Sequence, residues 1–324
     1  MINRPRRLRA NQTIRSLVHE TRLSVDDLIH PIFVKEGSNS KTAISSMEGH
    51  YQLSLNDLDK EIIEIQKLGI KAVLLFGILS HKDAEGKAST KHSNVVYQAI
   101  KQIKERAPEM VVIADVCLCE YTDHGHCGKL NKEKSDVDND STIEILADQA
   151  ASFAEAGADI VAPSAMMDGM VGAIRDKLDS KGFKNCCIMS YSVKYASNMY
   201  GPFREAAEGA PKFGDRKTYQ MDYANSNEAL KEAALDVDEG ADFLMVKPAH
   251  TYLDIIYKIK QNFPEMPLAA YHTSGEFAMI KASAKSGMVN EFEAVLEVTT
   301  AIKRAGANLI ISYFAKDLAK HLRK

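Results

Sequence analysis

No run of apolar residues in this chain approaches the roughly twenty needed to cross a bilayer. The first twenty residues hold several arginines but no continuous apolar stretch, so no secretory leader is expected. Charge of one sign is also lacking. The 41 Lys and Arg against 44 Asp and Glu leave a formal net charge of -3, which gives no general attraction to nucleic acid or to an anionic membrane. Cysteines number five, odd and unevenly spaced, which excludes the disulfide framework of a small secreted domain. No Gly-rich phosphate loop follows the first apolar run. What is left is a cytoplasmic globular protein that binds neither nucleic acid nor membrane. Its 324 residues, 45% hydrophobic, suffice for one large α/β barrel or two average domains.

One phrase recurs. A polar, Ala-rich helical stretch ends in glycine and an apolar strand follows within two or three residues. It occurs as Leu68-Gly-Ile-Lys-Ala-Val-Leu-Leu-Phe76, Ala156-Gly-Ala-Asp-Ile-Val-Ala-Pro163, Glu239-Gly-Ala-Asp-Phe-Leu-Met-Val246 and Ala305-Gly-Ala-Asn-Leu-Ile-Ile-Ser312. Glycine in a left-handed cap ends each helix. Ser141-Thr-Ile-Glu144 fits a capping box ahead of one helix, and Asn225-Ser-Asn-Glu228 opens the next in the same way. Further apolar runs at 28–34, 111–116, 187–191 and 267–271 bring the strand candidates to eight. Strand-helix alternation sustained eight times predicts a (β/α)8 TIM barrel over residues 28–324, with a doubly wound open sheet as runner-up. Residues 1–27, basic and polar, are either a frayed terminus or an arm that packs on another subunit.

A barrel carries its active site at the carboxyl ends of its strands. There the sequence places Lys247, after Asp242-Phe-Leu-Met-Val, and Lys194, after Met189-Ser-Tyr-Ser-Val. A strand-end lysine alone is ordinarily one that snorkels to water. Two on consecutive strands are different: each lowers the other's pKa, burial adds to the effect, and a neutral amine forms Schiff bases with carbonyls. Cys117, Cys119 and Cys127 cluster after the 111–116 run. Three thiolates on one metal leave a fourth position open, the mark of a catalytic rather than a structural zinc, with His124 and His126 as substitutes or supporting partners. Unrelated free thiols are the bland alternative; Cys186 and Cys187, in an apolar run, read as small core residues. The Gly-, Pro- and Arg-rich stretch from Asn198 to Gln220 reads as a lid, with Arg204 and Arg216 able to clamp a carboxylate. The charge run Lys129–Asp140 reads as a mobile, solvated loop without chemistry.

Six segments in this order resemble the porphobilinogen synthase (5-aminolevulinate dehydratase) family. They are Asp115-Val-Cys-Leu-Cys119 with Cys127, Ala162-Pro-Ser-Ala-Met-Met-Asp-Gly169, Ser192-Val-Lys-Tyr-Ala-Ser197, Tyr200-Gly-Pro-Phe-Arg204, Met245-Val-Lys-Pro-Ala249 and Ser274-Gly-Glu276. The resemblance implies a TIM barrel with an N-terminal arm that wraps a neighbour, usually in a homo-octamer. It implies condensation of two 5-aminolevulinate molecules to porphobilinogen with loss of water, in haem and tetrapyrrole synthesis. It assigns Schiff bases to Lys247 and Lys194, one carboxylate to Arg204 and Arg216, and the other to Ser274 and Tyr313. Cys117, Cys119 and Cys127 match the ligands of the zinc-dependent branch, and Glu232 matches a site for an activating Mg2+. Asp115 and Ser164, at strand ends beside this centre, would orient the substrate amine or shuttle protons, and Gln220 joins the substrate-binding candidates. His272-Thr273 stand where the family pattern has Gln-Val, which implies a different tuning of substrate affinity. A class I aldolase would explain Lys247 but not a second lysine with three thiols. A non-catalytic zinc protein would explain the thiols alone.

Overall fold

The computed structural model describes residues 2–37 and 41–323. Eight parallel strands close on themselves: β1 (Leu28–Lys35), β4 (Ala72–Ile78), β5 (Val111–Val116), β6 (Ile160–Pro163), β7 (Cys187–Lys194), β8 (Phe243–Lys247), β9 (Leu268–His272) and β10 (Leu309–Ser312). Closure is made by β10 against β1, with Leu28 opposite Ile310 and Ile29 opposite Ile311. Helices α2 (Leu55–Lys67), α3 (Val95–Arg106), α4 (Asn139–Ala156), α5 (Met170–Ser180), α7 (Glu228–Asp238), α8 (Leu253–Asn262) and α10 (Glu291–Ala305) fill the crossovers. The expected TIM barrel is therefore the architecture found. Its core is aliphatic and close to dry: Leu74, Leu75, Val112, Ile113, Val161 and Ile188 have no exposed surface. Each such side chain contributes about 1.5–3 kcal/mol through burial.

The repeated glycine does what its position requires. Gly69, Gly157, Gly240 and Gly306 all take positive φ (+78°, +106°, +98° and +123°) and turn a helix directly into a barrel strand.

Several local expectations are corrected. Helix α4 starts two residues before Ser141. Its cap is Asp138, whose carboxylate accepts from the Ser141 N–H at 2.9 Å, so the Ser141–Glu144 capping box does not form. Helix α7 starts at Glu228 behind Asn227, without a side-chain cap, and Asn225 instead donates its side-chain amide to Glu228 at 3.0 Å. Strand β7 runs past Tyr191 to Lys194 through a register shift between Ser190 and Val193, which lets polar Ser190 and Ser192 stay in a buried strand. A short hairpin, β2 (Thr42–Ala43) and β3 (Tyr51–Leu53), adds to the edge of β1, too brief to leave a periodic signal. The 129–140 run is ordered rather than merely solvated. Leu130 bridges Val137, and Asp136 accepts from Thr218 Oγ1 at 2.9 Å.

At the N-terminus, a 3-10 turn (Pro5–Arg9) and α1 (Gln12–Leu17) bury no residue, and Ile2, Leu8 and Leu17 stand 89%, 56% and 75% exposed. Contact with the barrel begins at Leu23 and Val25 and is fixed by an Asp27–Lys303 ion pair at 2.8 Å. No helix among the described residues is long and apolar enough to cross a membrane.

Candidate active site

Lys194 and Lys247 end β7 and β8 directly opposite each other in the ladder. Both are buried, at 5% and 6% exposure. Lys194 Nζ donates to the Ser164 carbonyl at the end of β6. Lys247 Nζ sits among four rings, at 4.2 Å from the centroid of Tyr271, 5.1 Å from Tyr191 and Phe203, and 5.2 Å from Tyr200. Burial, and then the charge of Lys194, pull the Lys247 pKa down to about 7; Asp115 opposes them. Asp115 is buried beside both amines and accepts from Ser164 Oγ at 3.0 Å. Burial pushes its carboxyl up to about 6 against the pull of the two lysines.

The lysines, Asp115, Ser164, Cys119, Arg204 and Arg216 face one pocket. The lid that covers it is a folded segment: a 3-10 turn at Asn198–Tyr200, then α6 (Gly201–Ala206), then irregular chain. Arg216 is buried and donates to the carbonyls of Gly125 and Gly209 at 2.8 and 2.6 Å. The Nε groups of Arg204 and Arg216 are buried without a partner among the described residues, so both guanidinium groups keep a donor for an anion. On the other side of Lys247, Tyr313 and Tyr271 share a hydroxyl–hydroxyl bond of 3.0 Å. Ser274 opens α9 (Ser274–Lys285) and accepts from the Phe203 N–H at 2.9 Å, which ties it to the lid.

Cys117 and Cys119 follow β5, and their sulfurs lie 3.4 Å apart. Cys127 returns to them, and one sulfur of each lies within 4.8 Å of the others, all buried. Hydrogen bonds from its two neighbours, with Arg216 and Lys194 nearby, hold the Cys127 thiol well below its usual pKa, while Cys117 and Cys119 are raised. Three buried sulfurs thus converge on one point, a donor set suited to a soft or borderline metal ion. Gly125 makes the return possible: a Cβ there would lie 2.2 Å from the Ala210 carbonyl oxygen of the lid. The histidines are not part of this group. His126 bonds Tyr219 and the Phe213 carbonyl, and His124 bonds the Ala84 carbonyl.

Two candidates stand elsewhere. Glu232 and Gln220 line a separate depression of about 390 Å³ with Asp168, Asp222 and Glu228. Burial, followed by Asp168, Asp236 and Glu228, pushes the Glu232 carboxyl up to about 7. Gln220 does not line the lysine pocket. His272 also points away from the chemistry: it is buried, 3.3 Å from Ser312 Oγ, and stacked near Phe314. Sequence reasoning missed the ring cage, because Tyr191 and Tyr271 inside apolar strands look like ordinary core. Tyr200 and Phe203 were within reach, since both lie in the Tyr200–Arg204 segment.

The delta-aminolevulinic acid dehydratase family model matches residues 2–321. A delta-aminolevulinic acid dehydratase of Halalkalibacterium halodurans is 56% identical over 321 residues, which is 99% of this chain and 97% of the relative. That of Bacillus subtilis is 55% identical, covering 99% and 98%. The crystal structure of the Toxoplasma gondii enzyme, in complex with the reaction product porphobilinogen, superposes with a TM-score of 0.96 at 44% identity and covers 99% of this chain and 92% of that one.

Proposed function

Because the chain belongs to the delta-aminolevulinic acid dehydratase family, lyases of porphyrin biosynthesis that condense two 5-aminolevulinate molecules to porphobilinogen, we propose how its residues divide that reaction. Lys247 attacks the keto carbonyl of one substrate and Lys194 that of the other, and each forms an imine with loss of water. An iminium is an electron sink, so the neighbouring C–H becomes acidic at neutral pH, and the second iminium is the electrophile. Asp115, buried between the amines and bonded to Ser164, takes and returns protons. Arg204 and Arg216 hold the carboxylate of the substrate on Lys194, and Ser274 and Tyr313 hold that of the substrate on Lys247. The Tyr313 hydroxyl bonds the hydroxyl of Tyr271, whose ring lies beside the Lys247 amine. Gln220, at the end of the lid segment, is assigned to substrate binding from the depression it shares with Asp222. The lid excludes water from the imines.

Cys117, Cys119 and Cys127 would hold a zinc ion. When bound there with one position open, zinc supplies Lewis-acid polarisation of a carbonyl or a hydroxide at neutral pH. Glu232, among carboxylates suited to a hard cation, is assigned an activating Mg2+. The exposed residues 1–27 are assigned to an arm that packs on a neighbouring subunit of a homo-octamer, in the cytoplasm.

The observation that carries this proposal is the pairing of Lys194 with Lys247 at the mouth of the barrel, with the Lys247 amine poised near neutrality. Borohydride added with 5-aminolevulinate should leave substrate mass on Lys247. The absence of both the adduct and the pyrrole product would refute it. Chelation should remove activity and zinc restore it.

A further inference from the structure

Glu276 lies in α9, two residues after Ser274, and is 1% exposed. Among the described residues no cation pairs with it. Its carboxylate instead gathers four donors from two chain segments. Oε2 accepts from the Thr273 N–H at 2.6 Å and the Thr273 hydroxyl at 2.9 Å. Oε1 accepts from the Ala249 N–H at 3.1 Å and from the His250 N–H. Pro248 has no N–H, so Ala249 and His250 carry the first two donors after Lys247. The carbonyl of Lys247 is held from the other side, by the Tyr195 N–H at 3.0 Å and the Tyr200 hydroxyl at 3.2 Å.

One buried carboxylate therefore joins the chain that leaves Lys247 to the turn that presents Ser274. The link continues to the lid. Ser274 Oγ is bonded to the Phe203 N–H, and a Cβ on Gly275 would lie 2.6 Å from the Met199 backbone, so α9 and the lid meet backbone to backbone. Burial pushes the Glu276 carboxyl up to about 7, against the pull of these hydrogen bonds. An apolar residue here would leave the backbone donors of both segments buried without a partner.

We propose that Glu276 is a positioning residue: its carboxylate fixes the distance between the Lys247 amine and the Ser274 carboxylate-binding turn, and so sets the fit of the substrate held between them. The proposal rests on the assignment of Lys247 and Ser274 to one substrate. Glu276→Gln keeps the shape but turns an amide N–H2 toward N–H donors, which breaks one of the two links. Thr273→Val removes a single donor and keeps both links.

The test measures kcat, KM, thermal unfolding and the ratio of borohydride adducts on Lys247 and Lys194, in wild type and both variants. For Glu276→Gln, KM should rise about tenfold, more than kcat falls, with a lower Lys247-to-Lys194 adduct ratio. For Thr273→Val the same changes should be smaller, about two- to threefold, in a protein that still folds. A folded Glu276→Gln protein with wild-type KM and adduct ratio overturns the proposal. If Glu276→Gln does not fold, an unchanged Thr273→Val overturns it. A wild type without any Lys247 adduct removes the assignment beneath it, an outcome visible before the variants are compared.

Discussion

Lys247 is an amine in a dry pocket of rings, and that placement costs the fold something. Its pKa in the folded chain lies near 7, against an ordinary value of 10.5. Between those values the unfolded chain holds a proton that the folded chain does not, so this residue makes stability rise as pH rises through that window. Lys247→Met should therefore lose activity on the order of 10^4-fold yet melt no lower than wild type at pH 7. Any gain in melting temperature should fade toward pH 10, and calorimetry across that range checks it. A destabilised Lys247→Met at pH 7 would show that the amine is not desolvated as described. The same shift governs chemistry: imine trapping on Lys247 should increase as pH is raised through about 7, because only the neutral amine attacks a carbonyl. At the residue scale the sequence was most readable where a residue type broke its surroundings. A charge ending an apolar run marked Lys247 and Lys194, and three thiols within eleven positions marked the metal group. Glu276, quoted only within Ser274-Gly-Glu276, drew no role because a Glu three residues after Thr273 has an ordinary explanation as a helix cap, and it is indeed that as well.

Among the elements, strand ends carry the chemistry and loops bring distant residues to it. The eight barrel strands were legible because the glycine turn before four of them demands positive φ, and few residues other than glycine accept it. Their exact ends were less so: Ser190 and Ser192 look like a strand terminus, yet hydrogen bonding keeps them inside β7, with Ser190 Oγ donating to Asp236 at 2.6 Å. The cap of α4 went to Asp138 because its carboxylate takes the Ser141 N–H, which starts the helix before Ser141 can serve as its cap. The lid was recognised from composition, but its seat on α9 depends on a contact that sequence does not state. Gly275→Ala tests that seat. The added methyl meets Met199 backbone, which cannot swing away as a side chain would. Overpacking of this kind costs about 1–3 kcal/mol. The variant should melt several degrees lower and show a raised KM, and wild-type values for both would mean that the lid is free to shift.

For the whole molecule, the arm and the barrel differ in kind. The barrel is closed by its own hydrogen bonds, whereas residues before Leu23 present apolar side chains to solvent, with Ile2 and Leu17 the most exposed. Removing residues 2–20 should leave the barrel's circular dichroism unchanged and reduce the assembled size in sedimentation velocity; an unchanged size would exclude the arm from assembly. The family reaction places a harder demand on the molecule: two identical substrates must be given different tasks in one pocket. The proposed division gives one substrate to Lys194 and the arginines and the other to Lys247 with Ser274 and Tyr313. The most direct test is a borohydride trap with isotopically labelled 5-aminolevulinate, with the adducts located by peptide mass in wild type and in Lys247→Met. The expected result is substrate mass on both Lys194 and Lys247 in wild type, and in the variant an adduct on Lys194 alone with no pyrrole formed. Pyrrole formation at the wild-type rate by Lys247→Met would contradict the two-amine site.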